Sequence, residues 1–141
     1  MLIRLGSLAG YAFDGPRLLA GWTPPAGPGV FAILVRPEAE RHPERYAVIY
    51  AGAADDLSRL SLRHPAASCW MKRAGTKWAV HVAVHSPPGA TARYREEVVR
   101  ELISLYRPGC NDERYGPAWK DEWIGSYAAP TTDPLTTDRD P

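Results

Sequence analysis

The sequence predicts an α/β domain: a small three-stranded antiparallel sheet flanked by helices. Three observations carry that expectation. Two runs, "VFAILVR" (30–36) and "RYAVIYAG" (45–52), are almost wholly apolar and rich in strand-forming residues. A third, "WAVHVAVH" (78–85), alternates, and "TARYREEVVRELISLY" (91–106) sets apolar side chains at helical spacing. A chain of 141 residues is the length of one domain. No apolar run approaches the roughly 20 residues a bilayer span needs. The segment "MLIRLGSLAGYAFDG" lacks an apolar core followed by a small-residue cleavage site, so a soluble, cytoplasmic protein without a membrane partner is expected.

Taken in order, "FDGPRLLAGW" suits a short helix, with Asp14 as its cap and Pro16 in its first turn. "TPPAGPG" (23–29) is a stiff connector that continues neither helix nor strand. Of the two apolar runs that follow, the first is expected to be buried on both faces, and the two pair as an antiparallel hairpin across the polar "PEAERHPE" loop. After Gly52, Asp55 or Asp56 caps a helix running from Leu57 towards His64, which Pro65 ends. In the third strand Trp78, Val80, Val82 and Val84 share the core face, opposite Ala79, His81, Ala83 and His85. The helix from about Thr91 buries Tyr94, Val98, Leu102 and Leu105 and stops at Pro108 and Gly109. The chain thus divides into an N-terminal extension (1–27), the domain (28–112), a helical appendix (113–128) and a disordered tail (129–141).

Two cysteines, Cys69 and Cys110, stand far apart with no Cys-x-x-Cys or Cys/His spacing. Reduced, buried thiols are expected rather than a zinc ribbon or a disulfide framework. His81 and His85 share a strand face about 13 Å apart, too far for one ion, and are expected to be partly exposed and structural. No Gly-x-Ser-x-Gly, Walker A, Gly-x-Gly-x-x-Gly or His-Glu-x-x-His motif is present, which removes the common hydrolase, nucleotide-binding and zinc-protease readings. Trp119 and Trp123 lie four apart on one helical face and suit either base stacking or a core cap.

The net charge of +1 hides an asymmetry. Between Asp56 and Glu96 there is no acidic residue, while Arg59, Arg63, Lys72, Arg73, Lys77, Arg93 and Arg95 all fall there. Basic charge gathered on one part of a domain is the footprint of a phosphate-bearing partner; the alternative is a set of scattered, solvated positions.

"GVF" (29–31), "YAG" (50–52), "DLSRLSLRH" (56–64) and "ELISLYRPGCN" (101–111), in this order, resemble the motifs of the GIY-YIG nuclease superfamily over roughly residues 28–112. The resemblance implies hydrolysis of a phosphodiester. In that chemistry a strand tyrosine helps generate the nucleophile, an arginine stabilises charge on the phosphate, and a helix glutamate holds Mg²⁺ or Mn²⁺. Matched by position, Phe31 stands for the first tyrosine, Leu60 for the arginine and Val99 for the glutamate, while Tyr50, Gly52, His64 and Asn111 are kept. One such loss costs a factor of about 10²–10³ in rate, and three leave little activity. A site displaced by one helical turn would use Arg63 and Glu96 beside Tyr50 and His64, with Glu96 as metal ligand. The plainer reading makes Arg63 and Glu96 surface residues, Glu96 suiting the first turns of its helix.

The leading expectation is therefore a diverged GIY-YIG-like domain that binds nucleic acid, DNA foremost, through Arg59, Lys72, Arg73 and Lys77, with cleavage weak or lost. An active Mg²⁺- or Mn²⁺-dependent endonuclease using Tyr50, Arg63, His64 and Glu96 is the alternative. A protein-interaction domain on the same fold is the third.

Overall fold

Apolar runs buried on both faces need a sheet covered on both sides; the first of the two longest lies inside such a sheet and the second forms its margin. In a computed structural model, which describes residues 2–7, 10–43 and 45–112, five strands form one antiparallel sheet in the order β1-β2-β5-β3-β4. They are β1 (Leu2–Leu5), β2 (Tyr11–Leu18), β3 (Gly29–Val35), β4 (Ala47–Ala54) and β5 (His81–His85). The α/β class and the antiparallel β3–β4 hairpin agree with the sequence. The strand count does not: the sheet has five strands rather than three.

The two added strands come from the segment read as an N-terminal extension. Asp14 and Pro16 do not open a helix; they lie inside β2, at an irregularity where its register to β5 shifts between Asp14 and Arg17. A bulge is one of the few places where a sheet accepts proline, which has no N–H to give the ladder. Flanked by β2 and β3, β5 is central, and His81, Val82, Ala83 and Val84 are all buried. The strand also begins later than the alternation suggests. A 3-10 helix at Lys77–Ala79 precedes it, and Trp78 is 60% exposed instead of lying in the core.

One sheet face carries Val30, Ala53, Phe13 and His85, and α2 (Ala92–Tyr106) packs on it. Thr91 caps α2, its hydroxyl accepting from the Tyr94 N–H at 3.0 Å. Val98, Leu102 and Tyr106 are its buried stripe; Leu105, expected inside, is 40% exposed. Polar contacts fix α2 to the sheet. Tyr94 donates to His85 Nε2 at 2.7 Å, and His85 Nδ1 sits 2.7 Å from the Ala12 carbonyl, so Nδ1 carries the proton. His85 is half-buried and structural, as expected, whereas His81 is fully inside.

Glu101 gathers Tyr11 Oη (2.7 Å) and Ser7 Oγ (3.1 Å), holding the β1–β2 turn down on α2. The Tyr11 hydroxyl keeps the Glu101 carboxyl below the ordinary carboxylate range, and the same bond pushes the Tyr11 phenol up to about 12. A lowered folded value means that this support is complete above the ordinary carboxylate value and is lost as pH falls through the lower, folded one. Glu101→Gln is therefore expected to lower the urea midpoint at neutral pH by the equivalent of about 1 kcal/mol, allowing for solvent screening. The gap to wild type should close in acid. Equal midpoints at neutral pH would show that the contact contributes nothing.

The opposite face, with Phe31, Ile33, Tyr50 and Val84, is covered by the crossover from β4 to β5. No α-helix runs from Leu57 towards His64. Leu57–Arg59 is a single 3-10 turn, and the α-helix α1 (Ala67–Ala74) starts after Pro65 rather than ending there. The Asp56 carboxylate makes the turn, accepting from Ser58 Oγ (2.7 Å), Ser58 N (3.1 Å) and Gly27 N (3.2 Å). At Gly75, φ is +89°, the left-handed conformation that ends α1.

Cys69 and Cys110 are joined in a disulfide, which overturns the expectation of reduced thiols; the pair meets in space because α1 and the turn after α2 lie side by side. Next to it, Cys110 N donates to the Ile49 carbonyl at 2.9 Å. Asn111 Oδ1 accepts from Ala51 N (2.8 Å) and its Nδ2 donates to Ala51 O (2.9 Å), so residues 110–111 lie along the outer side of β4. Among the described residues no helix is long and apolar enough to cross a membrane. The helical appendix with Trp119 and Trp123, and the tail beyond it, lie outside the described residues.

Candidate nucleic-acid interface

Four rings meet beneath the crossover. Tyr50 and Phe31 reach each other from neighbouring strands with centroids 5.8 Å apart, His64 packs 5.5 Å from Tyr50, and Trp70 of α1 stacks on His64 at 4.9 Å. Gly52, paired with Phe31 across the strands, makes room for them: a Cβ there would come within 3.0 Å of both the Phe31 and Tyr50 rings. Beside the cluster lies a depression of about 490 Å³ lined by Phe31, Asp55, Asp56, Arg59, Leu60 and His64, together with Ala53 and Ala54.

The electrostatics favour neutral groups. Burial pushes the Tyr50 phenol up, which keeps it protonated at neutral pH and a poor proton acceptor. Burial pushes His64 down, which favours the neutral imidazole. Its Nδ1 accepts from the Ala66 N–H at 3.0 Å, so Nε2 carries the proton. Arg59 is well exposed and loosely held by Asp56 at 4.0 Å. Leu60, where the resemblance requires an arginine, is buried.

The structure brings Tyr50 and His64 together and leaves the other two candidate catalytic residues apart. Arg63 is exposed and lines no part of the depression. Glu96 is exposed on α2, beside Ala53, Val99, Arg100 and Ile103, on the α2 side of the sheet. Ala53 lies at the margin, lining both the hollow on the α2 side and the depression beside the rings, whereas Glu96 lines only the hollow. A site displaced by one turn on each helix needs helices at both positions on one face, and residues 57–64 do not provide one. Val99, matched to the metal-binding glutamate, sits with Glu96 on the α2 side. Among the described residues no three His, Cys, Asp or Glu side chains come together to hold a metal.

Of the candidate binding cations, Arg59, Lys72 and Lys77 are exposed on the crossover, as is Arg63. Arg73 is half-buried against Gly109, where a Cβ would come within 2.7 Å of the guanidinium. Arg93 and Arg95 start α2, where Arg93 lies 3.7 Å from Glu97 and Arg95 donates to the Ala90 carbonyl at 2.9 Å. The acid-free window thus splits between the two sides of the sheet.

Sequence reasoning missed Trp70, because it placed no helix over 67–74. The spacing of Ala67, Trp70 and Ala74 just after Pro65 was the available signal. Compared with family models, with curated proteins and with solved structures, the chain matches none.

Proposed function

We propose that this chain is a nucleic-acid-binding domain, a diverged relative of the GIY-YIG fold in which cleavage is weak or lost. One observation carries the binding: the crossover exposes Arg59, Arg63, Lys72 and Lys77 over one sheet face, with no acidic residue between Asp56 and the start of β5. Cations on a single cover match a row of phosphates. The likeness to the nuclease fold is supported by the hairpin that sets Phe31 beside Tyr50, by His64 in the same cluster, and by Asn111 bonded to the Ala51 backbone. The weakness of cleavage is supported by a neutral tyrosine, a buried leucine and a glutamate that lines no part of the depression, where activation, charge stabilisation and metal anchoring would be needed.

Affinity for oligonucleotides is expected to fall steeply with salt, with a slope of log K on log salt of about −3 to −4 if each of the four cations meets one phosphate. Fluorescence anisotropy across a salt series measures it. A flat salt response, or no binding, would refute the proposal and favour a protein partner. Plasmid nicking with Mg²⁺ or Mn²⁺ is expected to be slight and unchanged in Glu96→Ala. Efficient nicking abolished by Tyr50→Phe would restore the active-nuclease reading.

A further inference from the structure

Among the described residues the most exposed tryptophan lies at the end of the sheet where β2 finishes and β5 begins. Trp78 stands in the middle of the Lys77–Ala79 helix and is 60% exposed. Lys77 Nζ lies 5.0 Å from the centroid of its ring. The short 3-10 helix at Leu19–Gly21 touches the Lys77–Ala79 helix, and Leu19 N donates to the Val80 carbonyl at 3.0 Å. Trp22 follows directly, half-buried against the core, with Arg17 Cζ 4.7 Å above its ring. Leu18 beside it is exposed.

Leaving an indole 60% open to water forfeits burial that a core position would supply, and Trp78 does so with a lysine held beside its ring. The charges around this indole indicate what it meets. Both indoles carry a cation over the ring. Asp14 engages Arg17, whose Nη1 lies 2.8 Å from its Oδ2 although not aligned as a hydrogen bond. Lys77 and the exposed Lys72 of α1, which packs on the Lys77–Ala79 helix, add positive charge on a stretch free of acidic residues. Flat π surfaces interleaved with ammonium groups suit unpaired bases on a phosphate strand: the rings take the bases and the lysines take the phosphates. A duplex keeps its base faces stacked inside and gives such rings nothing to cover.

We infer that Trp78, with Trp22 as a neighbouring platform, is a base-stacking subsite that directs this domain to single-stranded nucleic acid, Lys77 and Lys72 meeting the flanking phosphates. The subsite rests on the nucleic-acid reading above and adds a strand preference to it.

The test uses the full chain and labelled probes of equal length: an oligothymidylate, an oligouridylate, a mixed-sequence duplex and an abasic phosphodiester. Trp78→Ala is expected to weaken binding of both single strands by about 5- to 100-fold, as loss of one stacked base predicts, and to leave the abasic probe unaffected. Trp78→Phe, which keeps a ring, is expected to retain most of the affinity. The salt slope of Trp78→Ala stays at the wild-type value, whereas Lys77→Ala lowers it by about one. Wild-type affinity in Trp78→Ala, or an equal loss on the abasic probe, overturns the subsite. Salt-sensitive binding that treats duplex and single strand alike, with no effect of Trp78→Ala, removes the subsite and leaves nucleic-acid binding standing. Absence of salt-sensitive binding to every probe removes both.

Discussion

Trp70→Ala is expected to lower the unfolding free energy by about 4 kcal/mol, within the 3–5 kcal/mol typical of removing a large aromatic side chain from a core. Trp70 is fully buried and touches three rings at once: His64, Tyr50 and Phe31. Its removal leaves a void between α1 and the sheet that the strand backbones cannot close. Trp70→Phe should cost far less. The indole Nε1 is buried with no hydrogen-bond partner among the described residues, so phenylalanine sheds an unpaired donor while keeping most of the ring. Urea unfolding of the two variants measures the difference. Similar losses in both would mean that the indole nitrogen makes a bond the cluster needs. Nuclear magnetic resonance titration of His64 adds an independent readout. Burial holds the imidazole below its ordinary value, and removing the ring stacked on it should let that value rise. Under wild-type conditions the neutral ring supports the fold at neutral pH, and that support is lost as pH falls below the ordinary histidine value.

Breaking the Cys69–Cys110 bridge is expected to have an effect of similar size. The two residues are 41 positions apart, and cross-linking a loop of that length limits the unfolded chain by about 4 kcal/mol in the chain-entropy description. That is a large fraction of the ~5–15 kcal/mol that holds a domain folded. A Cys69→Ala/Cys110→Ala double variant and the reduced wild type should share one lowered urea midpoint, and reductant should leave the variant unchanged. A wild-type midpoint in the variant would show that the bridge adds no stability. The bond also bears on the ring cluster. Cys69 precedes Trp70 and Cys110 precedes Asn111, so reduction should loosen Trp70 against His64 and Asn111 against Ala51 together.

The parts of the fold that were legible are those whose burial is local and periodic. β3 and β4 read as strands because neither has a solvated face over most of its length, and α2 read as a helix because Val98 and Leu102 recur on one side. β2 was hidden by its own bulge: Asp14, Gly15 and Pro16 are helix-opening residues by type, and only pairing with β5 makes them strand. The helix expected from Leu57 has its Asp56 cap but runs for one 3-10 turn only, because Leu60 turns to an extended conformation and is buried in the core. Trp78 was placed in the core by an alternation that the 3-10 turn at Lys77–Ala79 interrupts. At the candidate site, Tyr50 and His64 were found through motif positions. Their neighbour Trp70 and the bond between Cys69 and Cys110 depend on long-range packing that spacing does not encode.

The turn that follows α2 has one more effect. An outermost strand offers a row of unpaired amides and carbonyls to any extended peptide that passes, and this is a common route to aggregation. Here Cys110 and the side chain of Asn111 occupy the outer positions of Ile49 and Ala51. Those two positions are closed to strand addition by a second chain, and the opposite margin is β1, a strand of four residues.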